Sequence, residues 1–276
     1  MNDGLDPLRD VIARYDLGAK KSLGQHFLLD LNLTRKIARG ERFRRRSRSI
    51  GPGQGPSTRA LLEAGSKVVA IERDARCIAA LEEVSNAYPG KLNVIEADAL
   101  EIDERALLGP GIVKICANLP YNISTELLIK WLRANHEHAA PLWSVMALMF
   151  QKEVADRILA APGSKTYGRL SVISQAASRP RRAFDLPARA FTPPPKVDST
   201  VVVFEPATTA LPDIAALERV TQAAFSQRRK MLRSSLKPLF GAETEARLKP
   251  SASRRRRAPK MFRFRLSRAR ARPNTA

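Results

Sequence analysis

The amino-acid sequence predicts an α/β fold with a doubly wound, mostly parallel sheet, followed by a small helical unit. Three short apolar runs, at residues 67–72, 92–98 and 112–118, alternate with segments whose apolar residues recur at helical spacing. A fourth run, at residues 143–150, is apolar almost throughout, which is typical of a strand buried on both faces. Beyond residue 206 the apolar spacing is helical only.

The crossover helices and the far edge of the sheet follow from the same patterns. Helices are predicted over residues 74–86 and 123–134, between the strands that they connect. The segments RRAFDLP and STVVVFEP predict two further strands, separated by the proline-rich stretch FTPPPKVD. We therefore expect an antiparallel hairpin at the far edge of the sheet.

Chain length and the change of pattern predict two domains and a tail. With 276 residues, the chain is longer than one small core needs. We place the larger domain at residues 1–206 and a small helical domain at residues 207–249, with helices over 213–225 and 228–239. Residues 250–276 have no apolar period and many arginines, so they predict a disordered tail.

Composition excludes several classes of protein. The apolar runs fall short of the roughly 18–20 residues that a membrane span needs. The N-terminal segment carries acids and lacks the apolar region of a signal peptide, so we expect a cytoplasmic protein without a membrane segment. Cys77 and Cys116 form neither a disulfide framework nor a metal-binding spacing. Both are predicted to be reduced core residues, and no metal is expected.

The basic charge is concentrated in two segments. The net charge is +21, which favours polyanionic partners such as nucleic acid. Residues 39–48 hold six Arg and one Glu, and residues 250–276 hold nine Arg, one Lys and no acid. Charge alone therefore leaves nucleic acid as one option beside a merely soluble surface, and the position of the charge must decide.

A glycine-rich turn and three strand ends predict a nucleotide-type cofactor site. GPGQGPSTR, at residues 51–59, leads into a helix, where backbone N–H groups can approach a ligand closely. Glu72 follows Gly53 by 19 residues, the spacing at which an acid accepts hydrogen bonds from a ribose diol. Asp98 and Asn118 end the next two predicted strands. Each acid alone could be a solvated carboxylate, and the turn would serve NAD as readily as S-adenosylmethionine (SAM).

The tetrapeptide NLPY, at residues 118–121, carries the catalytic prediction. The 6-amino group of adenine is a poor nucleophile, so positioning and hydrogen bonding must supply catalysis. The Asn118 side-chain oxygen and the Leu119 carbonyl can accept from that amine, and Pro120 stiffens the turn. Tyr121 offers a flat face to a base taken out of its stack. The alternative is a plain turn between a strand and a helix.

Taken together, these motifs resemble the KsgA family of ribosomal RNA adenine dimethyltransferases over most of residues 15–240. The segments KKSLGQHFLLD, NLPYNIST, FTPPPKVDS and FSQRRKMLRSSLK carry the resemblance. It implies a Rossmann-like SAM-dependent methyltransferase domain with a small C-terminal α-helical domain. The SAM pocket that it implies is lined by His26, Leu28, Gly51, Gly53, Glu72, Asp98 and Asn118.

The same resemblance implies the substrate and the residues that hold it. Phe191 is expected to stack on the target adenine opposite Tyr121, and RNA phosphates are expected to meet Arg228, Arg229, Lys230 and Arg233 on one helix. The implied substrate is a pair of adjacent adenosines in the 3′-terminal hairpin of small-subunit (16S) ribosomal RNA, within a pre-assembled particle. Each adenosine receives two methyl groups from SAM. Apart from the resemblance, we expect a monomeric enzyme.

Two arginine-rich segments depart from the family pattern. Residues 40–50, GERFRRRSRSI, stand where the fold needs its central first strand, which is expected to be apolar. Ser49 occupies the place of a family acid two residues before the glycine turn. We hypothesise local shifts of reading frame at residues 39–50 and 250–276, which resequencing of the gene would test. If the segments are genuine, folding and SAM affinity are expected to suffer.

Three other functions remain open at this point. An antibiotic-resistance enzyme that methylates an adenine of large-subunit RNA shares the same core motifs. A catalytically impaired factor that binds RNA and checks small-subunit assembly would explain the missing acid and the disrupted strand. An NAD dehydrogenase is more distant, because NLPY and the arginine-rich helix have no use there.

Overall fold

The computed structural model describes residues 4–17, 26–28, 30–38, 48–52, 55–138, 140–208, 211, 213–226 and 231–248. In chain order, the strands of this part of the chain are β1 (Phe27–Leu28), β2 (Arg48–Pro52), β3 (Lys67–Glu72), β4 (Leu92–Glu96), β5 (Val113–Asn118), β6 (Trp143–Gln151), β7 (Ser178–Leu186), β8 (Phe191–Thr192) and β9 (Ser199–Pro206). The helices are α1 (Leu8–Arg14), α2 (Leu31–Ala38), α3 (Gly55–Glu63), α4 (Ala75–Ala87), α5 (Glu104–Leu108), α6 (Ser124–Ala134), α7 (Lys152–Leu159), α8 (Arg169–Ala177), α9 (Ile214–Ser226), α10 (Leu232–Phe240) and α11 (Thr244–Leu248).

Seven strands form one sheet, in the order β4-β3-β2-β5-β6-β9-β7. The five strands from β4 to β6 in this order are parallel, whereas β9 runs antiparallel to both β6 and β7. The predicted α/β class and the antiparallel hairpin at the far edge are therefore confirmed. β1 and β8 form a separate two-stranded antiparallel sheet that the sequence patterns did not predict.

Helices cover the sheet on both faces. Along β6, Met146 and Leu148 belong to the large apolar cluster that includes α6, whereas Val145 and Ala147 belong to a second cluster with α3 and α4. Successive side chains of a strand point to opposite faces, so β6 is buried on both of them. This is the packing that the nearly continuous apolar run at residues 143–150 predicted.

The central strand forms despite the arginine-rich segment that precedes it. β2 begins at Arg48, pairs with β3 along its whole length and also pairs with β5. The expectation that residues 40–50 as a whole occupy this strand is corrected, because only the last three of them belong to it. The strand has five residues, of which three come from the end of the segment and two, Gly51 and Pro52, from the glycine turn. The remaining arginines, at 39, 42 and 44–46, lie outside the described residues.

The helices after β9 pack both on the main core and on each other. Ile214 and Leu217 of α9 join the large apolar cluster, and Glu218 forms an ion pair with Arg133 of α6. Further along, Leu232 and Leu236 of α10 belong to a small cluster with the end of α9. α9 thus contributes to two cores, so the predicted boundary at residue 206 stays a prediction. The predicted tail lies outside the described residues.

Two composition-based expectations concern cysteines and membranes. Cys77 and Cys116 are both buried, and neither forms a disulfide, as predicted for reduced core residues. Burial raises the pKa of the Cys116 thiol to about 12, so it stays protonated. Among the described residues, no helix combines the length and apolar character needed to cross a membrane.

Candidate active site

The predicted cofactor residues lie along one edge of the sheet. Glu72 is the last residue of β3 and Asn118 the last of β5, while Gly51 lies one residue before the end of β2. Asp98 follows the end of β4 by two residues, because this strand is shorter than predicted. β4, β3, β2 and β5 are parallel neighbours, so their carboxyl ends meet at a common edge, where open α/β sheets bind ligands.

Glu72 is held by the backbone that follows it. Its Oε1 accepts hydrogen bonds from the backbone N–H groups of Arg73 and Asp74, both at 2.9 Å. Burial raises the pKa of this carboxyl, and the two N–H donors act in the opposite direction. A desolvated carboxylate with one oxygen already oriented is well suited to accept hydroxyl hydrogen bonds.

Asp98 is held partly by its own turn and partly by Arg73. Its Oδ1 accepts from the backbone N–H of Leu100 at 2.9 Å, and its Oδ2 lies 2.8 Å from the Arg73 Nη1. The Arg73 side chain is 70% exposed and bridges the ends of β3 and β4. Glu72 and Asp98 are thereby linked through one arginine that neither motif predicted.

The glycine turn is described in part. Gly51 pairs with Ala70 of β3, whereas Gly53 lies outside the described residues. Ser49, which occupies the place of the family acid, is buried, and its Oγ has no hydrogen-bond partner among the described residues. A buried hydroxyl without a partner lowers stability, so this position is a weak point of the central strand.

Asn118 is oriented by the N-terminal segment. Its Nδ2 donates to the carbonyl oxygen of His26 at 2.9 Å, and the side chain is buried. Because the amide nitrogen faces His26, the oxygen of the same planar amide is turned the opposite way. The ring of His26 is fixed in turn, since its Nδ1 lies 2.8 Å from the Pro193 carbonyl and must donate to it.

The rest of the NLPY turn follows directly. Leu119 is buried under the turn, while Pro120 and Tyr121 are partly exposed. The Tyr121 ring lies 5.2 Å from the His26 ring, centroid to centroid, at a tilt of 31°. Its hydroxyl lies 2.6 Å from the Ser199 Oγ, and burial raises its pKa. Tyr121 therefore has one end and one face in contact with other segments.

Leu28 and Phe191 meet in the two-stranded sheet. They are register partners in β1 and β8, and both join an apolar cluster with Met149 and Val201. Phe191 is only 2% exposed, so its ring is packed inside the protein in this structure. Its predicted stacking on a target adenine stays a prediction, and it requires the ring to leave this cluster or the base to enter it.

The helix predicted over residues 228–239 begins only at Leu232, because the backbone of Met231 is extended, so the expectation of one helix from 228 onwards is corrected. Arg233 lies on α10, is 54% exposed and has its Nη1 3.8 Å from the Glu245 Oε1. Arg228, Arg229 and Lys230 lie outside the described residues, so their role stays a prediction. Among the residues that the structure describes, no group of three or more His, Cys, Asp or Glu could hold a metal ion.

Comparison with known proteins decides which kind of enzyme has this site. A family model described as ribosomal RNA adenine dimethylase matches residues 17–253. The chain belongs to this family. The dimethylase match spans the arginine-rich segment at 39–48 and includes the first four residues of the predicted tail, ending at residue 253. Membership makes the chain an enzyme of the SAM-dependent methyltransferase class, and an NAD dehydrogenase is ruled out.

Individual dimethylase relatives agree with the family model. The chain is 54% identical over 257 residues to the ribosomal RNA small subunit methyltransferase A of Allorhizobium ampelinum, and the match covers 92% of this chain and 93% of that protein. A dimethyladenosine transferase from Plasmodium falciparum has a similar structure, with a TM-score of 0.65, 28% identity and coverage of 77% and 75% of the two chains. The 23S rRNA methyltransferase ErmE, at 23% identity, a TM-score of 0.64 and coverage of 86% and 94%, shares the fold alone.

Four contacts of the site could not be predicted from the sequence. They are the bond between Tyr121 and Ser199, the bond from Asn118 to the His26 carbonyl, the bond between His26 and Pro193, and the bridge from Arg73 to Asp98. Ser199 and Pro193 both lie within the quoted segment FTPPPKVDS, but nothing in the sequence says which of its residues turn towards NLPY. Arg73 directly follows Glu72, and that adjacency was the one available signal.

Proposed function

We propose that this chain transfers two methyl groups from SAM to each of two adjacent adenosines in the 3′-terminal hairpin of small-subunit ribosomal RNA. The observation that carries the proposal is the orientation of Asn118 at the end of β5, with its amide nitrogen bound to the His26 carbonyl. This leaves the amide oxygen on the side away from the N-terminal segment. An oriented acceptor is what the amino group of adenine needs.

The residues at the strand ends fit SAM as the methyl donor. SAM supplies an electrophilic methyl group when it is bound. The buried carboxylate of Glu72 suits the ribose diol, and Asp98 suits the amino edge of the adenine ring. Gly51 lies where the backbone can approach the ligand. His26 and Leu28 belong to the segment that approaches the same edge from the N-terminal side.

The NLPY turn supplies positioning rather than proton abstraction. In the first transfer, the Asn118 oxygen and the Leu119 carbonyl accept hydrogen bonds from the two N–H groups of the 6-amino group, so that the nitrogen lone pair turns towards the methyl group. In the second transfer, the one remaining N–H donates to one of these acceptors. For each methyl gained, the amine gives up one proton. Tyr121 offers its ring to the base, and the buried Leu119 fixes the turn from below.

Two observations favour small-subunit RNA over the other substrates considered. The relative at 54% identity is named for the small subunit, whereas the large-subunit enzyme ErmE shares only the fold. Loop bases of a hairpin can be splayed out and stacked on aromatic rings, as this mechanism requires. An assembly factor without turnover is less favoured, because Asn118 and the intact central strand keep the geometry of transfer.

The test uses the full chain and small ribosomal subunits purified from cells that lack this methylation. The protein is incubated with labelled SAM, and modified adenines are mapped by primer extension, since two methyl groups on the 6-amino group block base pairing. Label on two neighbouring adenines of the 3′ hairpin is the expected result. SAM binding and subunit binding without label would instead support the assembly factor. A monomeric state and a cytoplasmic location stay predictions.

A further inference from the structure

Tyr121 is restrained at several points that no motif assigns. Its hydroxyl is hydrogen-bonded to Ser199 at 2.6 Å, and its ring faces that of His26. Its backbone carbonyl accepts from the hydroxyl of Ser124, the first residue of α6, at 3.1 Å. With its main chain, its hydroxyl and one face of its ring all in contact with other groups, Tyr121 cannot swing freely about its side-chain torsions.

Ser199 is a rigid support for that ring. It is the first residue of β9, where it is the register partner of Gln151 on β6 and of Leu186 on β7. Its side chain is fully buried. The hydroxyl that meets Tyr121 therefore comes from the antiparallel end of the central sheet, and not from the proline-rich loop that precedes it.

Burial makes the hydrogen bond between Tyr121 and Ser199 costly to break. Burial raises the pKa of Tyr121, so its hydroxyl keeps its proton and remains able to donate. Removal of the Tyr121 hydroxyl leaves the fully buried Ser199 hydroxyl without its bond, which costs more than the bond itself is worth. If the two hydroxyls affect activity only through their shared hydrogen bond, the effects of removing each one are expected to be strongly non-additive.

We infer that Ser199 is a positioning residue for methyl transfer, which fixes the Tyr121 ring so that a target base stacks beside Asn118. The inference rests on the proposed function, and it adds a residue to which neither the family resemblance nor the comparisons give a role. A simpler explanation is that Ser199 only stabilises the fold. The two explanations differ in what they predict for turnover.

The test is a double-mutant cycle with Ser199→Ala, Tyr121→Phe and the double variant. Each single variant is expected to lower kcat about fivefold to tenfold, since one bond of this strength is involved. The double variant should resemble either single variant, because the lost contact is the same. The dissociation constant for SAM is expected to stay unchanged in all three.

A matched control separates positioning from stability. Ser178 is also a buried serine, its Oγ lies 2.6 Å from the Ser174 carbonyl, and it starts β7 at the end remote from Ser199. Ser178→Ala is expected to lower the melting temperature and leave kcat as in the wild type. Tyr121→Phe keeps the ring and tests the idea even if Ser199→Ala folds poorly.

The outcomes are distinct. If the single variants keep wild-type kcat, or if their effects multiply in the double variant, Ser199 is not a positioning residue. If the wild type itself binds SAM and small subunits without transferring methyl groups, the proposed function fails before the cycle begins. The inference would also be overturned if Ser178→Ala lowered the melting temperature and kcat as much as Ser199→Ala does, because activity would then merely follow stability.

Discussion

The two halves of the active site are held together in different ways. In the half proposed to face the cofactor, Glu72 and Asp98 bind backbone N–H groups one or two residues further along the chain. In the half proposed to face the base, the bond from Asn118 to His26 spans 92 residues, and the bond between Tyr121 and Ser199 spans 78. The cofactor half is therefore built locally, whereas the base half depends on the whole fold.

This difference explains which residues the sequence could reveal. A glycine turn and acids at strand ends repeat at fixed spacings, because the parallel sheet itself sets those spacings. The partner of Tyr121 follows from the register of β9 against β6 and β7, which spacing along the chain does not encode. The short pairing of β1 with β8 was missed for the same reason, since two residues are too few for any period.

Asn118 offers the sharpest way to break the base half. Asn118→Ala removes the oriented amide, and we expect kcat to fall about 100-fold or more, as for other single groups that position a reacting atom. SAM affinity should fall much less than kcat, because Asn118 is only one of the residues expected to line the SAM pocket, and Glu72 and Asp98 keep their own partners. Single-turnover methyl transfer and calorimetric SAM binding measure the two effects separately.

Asn135 provides the control for that substitution. Its Nδ2 donates to the Trp143 carbonyl at 2.9 Å, the same length as the bond from Asn118 to His26. Asn135→Ala is expected to lower the melting temperature without a specific loss of kcat. A loss of SAM affinity in Asn118→Ala as large as its loss of kcat would contradict the division of the site into two halves.

Substitution of Glu72 tests the cofactor half, and we expect the reverse of the Asn118→Ala result, a loss of SAM affinity without a loss of kcat. Glu72→Gln removes the carboxylate that suits the ribose diol, so SAM affinity is expected to fall about tenfold, the effect of roughly 1.4 kcal/mol. At saturating SAM, kcat should be close to the wild-type value, because the NLPY turn is untouched. Glu218→Gln, at a buried carboxylate paired with Arg133, serves as the control and should leave SAM affinity unchanged.

The same variant has a pH signature in the free protein. Burial raises the pKa of Glu72, so ionisation of this group opposes folding, and its contribution to stability is lost as pH rises through the folded pKa. Glu72→Gln should therefore raise the melting temperature near pH 7, and the gain should vanish below the ordinary pKa of a glutamate, about 4.3. A gain that persists at low pH would contradict this account.

Ser49 shows how far the fold could be judged from sequence. The arginines of residues 40–50 predicted a damaged central strand, yet the strand forms from residue 48 onwards with its full ladder to β3. What remains of the damage in the described part is one buried hydroxyl without a partner. Sequence patterns located the strand only within a few residues, and a shift of that size decides whether arginines enter the core.

Ser49→Ala should therefore stabilise the protein by about 1 kcal/mol, because it removes an unsatisfied buried polar group. Chemical denaturation measures the free energy of unfolding. Ser66, whose buried Oγ also has no partner in the described part of the chain, should give a similar gain, while Ser178→Ala should give a loss. If Ser49→Ala instead weakens SAM binding, its hydroxyl contacts the cofactor and belongs to the cofactor half.

Substitution of Arg73 should give the smallest effect. It tests whether the cofactor half is held only by contacts between residues that are close in the sequence. Its bridge to Asp98 is the exposed contact of this half, and exposed ion pairs are worth about 0–1 kcal/mol. Arg73→Ala should weaken SAM binding by no more than about fivefold, since the Leu100 N–H still orients Asp98, and the loss should shrink in high salt. A loss as large as that of Glu72→Gln, insensitive to salt, would mean that Arg73 itself contacts SAM. The cofactor half would then depend on a contact between residues far apart in the sequence, as the base half does.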